Sequence, residues 1–284
     1  MTKQMNFLDP DAQRAQFPAL QRQLNGRPLS FLDGPGGTQV PQSVIDAMSN
    51  YLARGSSNLG GPFLTSYETV EVTENARRAL QDLLNAHRPE EIVFGQNMTS
   101  LSFAVSRAIS RTWQPSDEIV LTRVDHDANI SPWLMAAEER DVTVRWLDFD
   151  TSDCMLKLHT LPELLSDKTR LVAVSYASNA VGSITDIKEV TRLAHAQNAL
   201  VYVDSVHYAP HGLIDVQDLG CDFLACSTYK FFGPHQGVLY GKYELLDELI
   251  AYKVRPAPSK PAGKWETGTQ SFESLAGSTA AVDY

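Results

Sequence analysis

The chain has 284 residues, 43% of them hydrophobic, and 24 Lys+Arg against 34 Asp+Glu give a formal net charge of −10. This is enough apolar material for one large α/β domain, and the negative balance disfavours nucleic acid and anionic membrane surfaces as partners. No apolar run approaches the ~18 residues of a membrane span, and the opening MTKQMNFLDPDAQ lacks the apolar core of a signal peptide. Three cysteines, Cys154, Cys221 and Cys226, show no CxxC spacing and point to reduced thiols in a cytoplasm, with Cys226 a small core residue on a strand.

Residues 1–30 read as an N-terminal arm that Phe7, Phe17 and Leu20 could anchor. Phe31-Leu-Asp33 then enters Gly34-Pro-Gly-Gly-Thr38, which is either a loop bringing backbone close to a ligand or an ordinary turn. Pro41 opens a helix with Val44, Ala47, Met48, Tyr51 and Leu52 on one face. A polar loop over 54–64 has no evident role. A second helix is expected over 67–86, with Val72, Ala76, Ala79, Leu80 and Leu83 as its stripe. Glu91-Ile-Val-Phe94 is a strand, Gly95 to Ser100 a turn, and Leu101, Ala104, Val105, Ala108 and Ile109 mark a third helix. Strand, small polar turn and helix N-terminus suit an anion, with Thr99 and Ser100 adding hydroxyls. Plain N-capping by Asn97 or Thr99 is the alternative.

A strand at 118–121 leads towards His126, whose imidazole suits proton transfer near neutral pH. A histidine near a strand end can equally be structural, and Ile130 and Trp133 read as core. Strands follow at 142–147 and 170–176, with a short helix at 161–165 between them. Asn179, past the second of these strands, is either a ring-oxygen ligand or a turn asparagine. Residues 186–197 form a crossover helix. Strands alternating with helices at these lengths give a mostly parallel sheet.

The stretch from Leu200 to Gly241 carries the chemistry. Leu200-Val-Tyr-Val203 is a buried parallel strand ending on Asp204, at the strand terminus where α/β sheets place ligands. Phe223 to Cys226 is a second strand, leading into Ser227-Thr-Tyr-Lys230, and Val238-Leu-Tyr240 a third. Acid and lysine lie 26 positions apart (204 to 230), each just past a strand. Adjacent strands would bring both to one rim. That pair suits pyridoxal 5'-phosphate (PLP), which needs a lysine for a Schiff base and an acid at its ring nitrogen. Ser227 and Tyr229 offer hydroxyls to its phosphate. A salt-bridging aspartate and a surface lysine are the alternative. A metal site from Asp204, His207, His211, Cys221 and His235 has no recognised ligand spacing, and a dinucleotide site lacks a GxGxxG after a strand.

VDSVHYAPHGLIDVQDLGCDF followed by STYKFFGPHQGVLYGK resembles the lysine region of the class V aminotransferases, in particular the cysteine desulfurases and their relatives. FLDGPGGTQVPQSVIDAM, DHDANISPW, the Ser-Asn-x-x-Gly at Ser178–Gly182 and KWETGTQ at 264–270 resemble further segments of that family. The resemblance implies a fold-type I PLP-dependent large domain over 31–270, with a mostly parallel seven-stranded sheet between helices. It implies Lys230 as Schiff-base lysine, Asp204 as partner of the ring nitrogen, and His207 near the phenolic oxygen. His126 would stack on the ring and handle protons, and Asn179 would bond a ring oxygen. Met98, Thr99, Ser100, Ser227 and Tyr229 would surround the phosphate. Thr269 would reach the cofactor of a second subunit, which implies a homodimer. Many desulfurases have Gln at the position of His207 and His at that of Tyr229, so the alternative is an aminotransferase, epimerase or C–S/C–N lyase of the same family.

After the lysine, a helix is expected over 243–252, a proline-rich loop over 254–264, and a last helix over 271–284 with Phe272, Leu275, Ala276, Thr279 and Ala280 at helical spacing. That helix ends without a cap. The resemblance implies that it leads to a C-terminal small domain, carrying the arginine for the substrate carboxylate and a catalytic cysteine, which this chain lacks. The sequence therefore reads as about two thirds of a PLP enzyme acting on an amino acid, and a non-catalytic PLP-binding fragment is the remaining reading.

Overall fold

The computed structural model describes residues 9–284, so Phe7 lies outside the described residues. In chain order the elements are α1 (Pro10–Ala15), β1 (Gln23–Leu24), β2 (Arg27–Pro28), α2 (Gln42–Arg54), α3 (Leu64–Leu84), β3 (Ile92–Gly95), α4 (Met98–Ile109), β4 (Glu118–Thr122) and α5 (Ser131–Glu139). There follow β5 (Thr143–Leu147), α6 (Leu161–Leu164), β6 (Thr169–Ser175), α7 (Ile187–His195), β7 (Leu200–Asp204), α8 (Val216–Leu219), β8 (Phe223–Ser227), β9 (Gly237–Gly241), α9 (Tyr243–Glu248) and α10 (Phe272–Asp283).

β1 and β2 form a small hairpin; the other strands make one seven-stranded sheet in the order β3-β9-β8-β7-β6-β4-β5. The pairs from β5 through β8 are parallel, and β9 runs antiparallel to both β3 and β8. The central strands are apolar on both faces because helices cover both. Alternate residues of one strand enter different cores. Val201 and Val203 join α2, α3, α7 and α10, whereas Tyr202 joins α4 and α5. Tyr202 meets Trp133 edge-on at 5.0 Å between ring centres and shares a 2.8 Å hydrogen bond with Ser102, so its hydroxyl is buried but paired. Trp133, Ile130 and Cys226 are buried, as expected of core residues.

α3 begins at Leu64 and ends at Leu84, capped by left-handed Asn85, so it lies a few residues earlier than its apolar stripe predicts. Thr69 and Thr73 face the core in place of part of that stripe, each donating its hydroxyl to the carbonyl four residues back at 2.9 Å. α9 stops at Glu248 and not at Tyr252, because Trp265 of the following irregular segment packs over it and donates Nε1–H to the Leu246 carbonyl at 2.9 Å. Ile250 and Tyr252 are consequently exposed. In the arm, Phe17 is buried between Phe232 and Tyr284, at 5.5 Å from each ring centre, and Leu20 is partly buried.

Candidate active site

Parallel strands β4, β6, β7 and β8 end at one rim, where their following turns surround a cavity of about 130 Å³. Met98, Thr99, His126, Asn179, Asp204 and His207 line it, together with Ser227, Tyr229 and Lys230. Nine side chains singled out in the sequence therefore converge. Ser100 and Thr269 do not reach this cavity. Both line a second, open cavity on the far side of the Asn97 turn. The Ser100 N–H and hydroxyl are taken by Asn97, at 2.9 Å each, so Asn97 is the N-cap of α4.

Asp204 closes β7 and is 4% exposed. Val203 and Asp204 pair with Leu224 and Ala225 of β8, so the acid and the lysine loop stand on neighbouring strands. The Asp204 Oδ1 accepts the Val206 N–H at 2.9 Å, and no other donor among the described residues reaches this carboxylate. Burial pushes its pKa up to about 6, while the Val206 N–H, His126 and Lys230 pull the other way. A buried carboxylate with one unpartnered oxygen facing a cavity favours a cationic or N–H donor there.

Lys230 sits in a helical turn after β8 and is 8% exposed. Its Nζ donates to the Pro35 carbonyl and lies 4.6 Å from the centre of the Tyr229 ring. Among the described residues it has no carboxylate partner, and at this burial it is not a surface lysine. Pro35 belongs to the glycine-rich loop, which is thereby a wall of the site. Thr38 N–H donates to the Tyr229 carbonyl at 3.0 Å, and the Phe232 N–H donates to the Thr38 hydroxyl at 2.7 Å. Gly37, at φ +142°, leaves 3.0 Å between a would-be Cβ and the Tyr229 ring. Glycine is needed there for both conformation and space.

The His126 Nδ1 accepts the Ala128 N–H at 3.1 Å, so the neutral ring carries its proton on Nε2. Burial, His211 and Lys230 together lower the pKa of His207, which favours its neutral ring. Ser227 Oγ accepts the Met98 N–H at 3.3 Å, tying β8 to the start of α4. The Thr99 N–H has no acceptor among the described residues. A free N–H at a helix N-terminus, next to two hydroxyls, matches the demands of a phosphate.

Asp125 was not anticipated. Its buried carboxylate accepts from the Thr122 hydroxyl and from Asn129 Nδ2, the latter at 2.6 Å. Burial lifts its pKa to about 7, and the Asp204 charge adds to that rise. Its signal in the sequence is an acid beside His126, a few residues past the end of β4.

A family model described as aminotransferase class-V matches residues 30–284. A cysteine desulfurase of Dickeya dadantii is 36% identical over 289 residues, covering 96% of this chain and 70% of its own length. The crystal structure of the cysteine desulfurase CsdA from Escherichia coli superposes with a TM-score of 0.86 at 29% identity, over 98% of this chain and 72% of that one. The apo cysteine desulfurase from Thermococcus onnurineus NA1 gives 0.88 at 25% identity, over 98% and 71%. The match of sequence and sheet together shows that the chain belongs to the aminotransferase class-V family and is cysteine desulfurase-like.

Proposed function

We propose that this chain is a PLP-dependent enzyme acting on an amino acid in the manner of a cysteine desulfurase, taking cysteine to alanine and enzyme-bound sulfur. The carrying observation is the pair on neighbouring strands: the free Asp204 oxygen and Lys230 Nζ open onto one cavity. The residues fit the cofactor. Lys230 would hold it covalently through Nζ, and Asp204 would accept the hydrogen bond of its ring nitrogen. Thr99, Met98, Ser227 and Tyr229 would hold its phosphate, Asn179 and His207 its ring oxygen, and His126 one face of its ring. When bound, PLP supplies an electron sink for the pair left on the amino acid's α-carbon.

The chain's own groups handle the protons. Lys230 Nζ, which has no carboxylate salt bridge among the described residues, takes and returns a proton at the α-carbon. His126 holds a proton on Nε2, positioned by the Ala128 N–H. Asp204 pays for its burial when a protonated ring nitrogen stands against it, because the two charges then offset. None of the three cysteines lines the cavity, and burial pushes the Cys221 and Cys226 thiols up to about 12. No cysteine among the described residues is therefore placed to take sulfur in this cavity. Thr269, which lines the neighbouring cavity and not this one, would approach the phosphate of the partner's cofactor in a homodimer. Reduced thiols support a cytoplasmic setting; no helix among the described residues is long and apolar enough to cross a membrane.

Transamination, epimerisation or lysis is the second reading. It is favoured by Tyr229, whose ring stacks on His235 at 4.9 Å beside the lysine. The test is borohydride fixation of PLP on the purified chain, followed by peptide mapping and by assay of alanine and sulfide from cysteine. An adduct on Lys230, lost in Lys230→Ala, is expected. A persistent adduct in that variant would refute the lysine assignment, and turnover of other amino acids without sulfide release would favour the second reading.

A further inference from the structure

β3 is an outer strand of the sheet, so half of its backbone groups point away from β9 with no strand to pair them. Two side chains take them. The Ile92 carbonyl accepts from Arg77 Nη1 at 2.6 Å, and the Phe94 N–H donates to Glu266 Oε1 at 3.0 Å. The same two side chains then meet, Arg77 Nη2 donating to Glu266 Oε2 at 2.6 Å. Both are largely buried, with 15% and 8% of the side chains exposed. The guanidinium also lies 5.2 Å from the centre of the Phe94 ring. Helix α3, the edge strand and the irregular segment before α10 are thus fastened at one point.

Both chain directions from this point lead to the Asn97 turn. β3 runs directly into it. Glu266 is followed by Thr267-Gly268-Thr269, which shares a cavity of about 1100 Å³ with Asn97 and Ser100. Among the described residues, the only other hydrogen bond within 267–270 is from Asn58 Nδ2 to the Thr269 hydroxyl, at 3.4 Å. Glu266 is therefore the main polar anchor of that segment.

We propose that Glu266 is a positioning residue for phosphate recognition. With Arg77 it holds the Thr267–Thr269 segment in register with the strand that carries the Asn97–Ser100 turn, so the turn keeps one geometry. This rests on the reading that the turn receives the phosphate of PLP. A glutamate suits the task because both of its oxygens accept: one serves the Phe94 N–H and the other the guanidinium. A glutamine would keep one acceptor and turn an amide donor towards Arg77.

The test compares affinities for PLP and for pyridoxal, the same ring without phosphate, in the wild-type chain, Glu266→Gln and Glu266→Ala. Amide hydrogen exchange over 92–96 reports the edge strand in parallel, and the glutamine variant serves if the alanine variant does not fold. The expected result is a fall of about tenfold in PLP affinity, the scale of one lost charged hydrogen bond. Pyridoxal affinity stays unchanged, and exchange at Phe94 quickens. Equal losses for PLP and pyridoxal would mark Glu266 as merely structural and overturn the proposal. Undiminished preference for PLP in the variants would overturn it as well, with the phosphate reading intact. A wild-type chain that does not distinguish PLP from pyridoxal would remove the phosphate reading itself, and this inference with it.

Discussion

Replacing Asp204 with asparagine tests the electrostatics of the site without touching its shape. Asparagine keeps an oxygen for the Val206 N–H and turns its amide towards the cavity. In the cofactor-free protein the Asp204 pKa is raised from 3.8 to about 6, chiefly by burial. A raised carboxylate pKa means that the folded state binds the proton more tightly than the unfolded chain. The native state is therefore not penalised below pH 4, becomes so as pH rises from 3.8 towards 6, and carries the whole penalty above 6. At about 1.4 kcal/mol per pKa unit, the full cost is about 3 kcal/mol. Asp204→Asn should thus stabilise the cofactor-free protein by about that amount near pH 7.5, and by progressively less down to pH 5. Urea unfolding of both proteins, stripped of PLP and followed across this range, measures the difference. PLP should restore the wild type relative to the variant, because its ring nitrogen supplies the missing partner. A stability difference independent of pH, or one that grows towards acid, would refute the reasoning.

Two further substitutions probe the turn at Asn97. An added methyl at Gly237 would lie 2.4 Å from the Asn97 carbonyl carbon. Gly237→Ala should therefore cost about 1–3 kcal/mol through overpacking, read as a lowered urea midpoint, and an unchanged midpoint would deny the close approach of β9 to the turn. Ser227→Ala leaves the buried Met98 N–H without its acceptor. It should cost about 1–3 kcal/mol and weaken PLP more than pyridoxal; equal weakening would remove Ser227 from the phosphate site.

The site was legible because its residues stand at the ends of apolar runs. Val201 to Val203 and Phe223 to Cys226 are apolar on both faces, so they mark central parallel strands; Asp204 follows the first directly and Lys230 stands one short turn past the second. Which turn residues face which cavity was less legible. Ser100 differs from Thr99 only by its phase on α4 and by the Asn97 cap that occupies its N–H. Helix packing hid other features from a hydrophobic count. Thr69, Thr73, Ser274 and Ser278 are buried because hydroxyls on a helix can bond back to the preceding turn. Gly277 lies against Met48, so α10 meets α2 through a residue that no apolar stripe would include. The Glu266–Arg77 pair joins positions 189 apart, and nothing in local periodicity signals it.

The place of β9 has a consequence for the order in which the molecule can assemble. β3 pairs only with β9, which comes almost 150 residues later in the chain, whereas β4 to β8 can join through crossovers of ordinary length. During synthesis, β3 and its turn have no sheet to join until Gly237–Gly241 has emerged. Such distant pairings close slowly, because loop entropy is spent before contacts return it. The two walls of the cavity, Met98 and Ser227, are 129 positions apart and meet only when this late strand slots between β3 and β8. A ligand that needs both walls binds only the finished sheet and stabilises it by mass action. Occupancy of the site thus doubles as a report that the last strand has been placed.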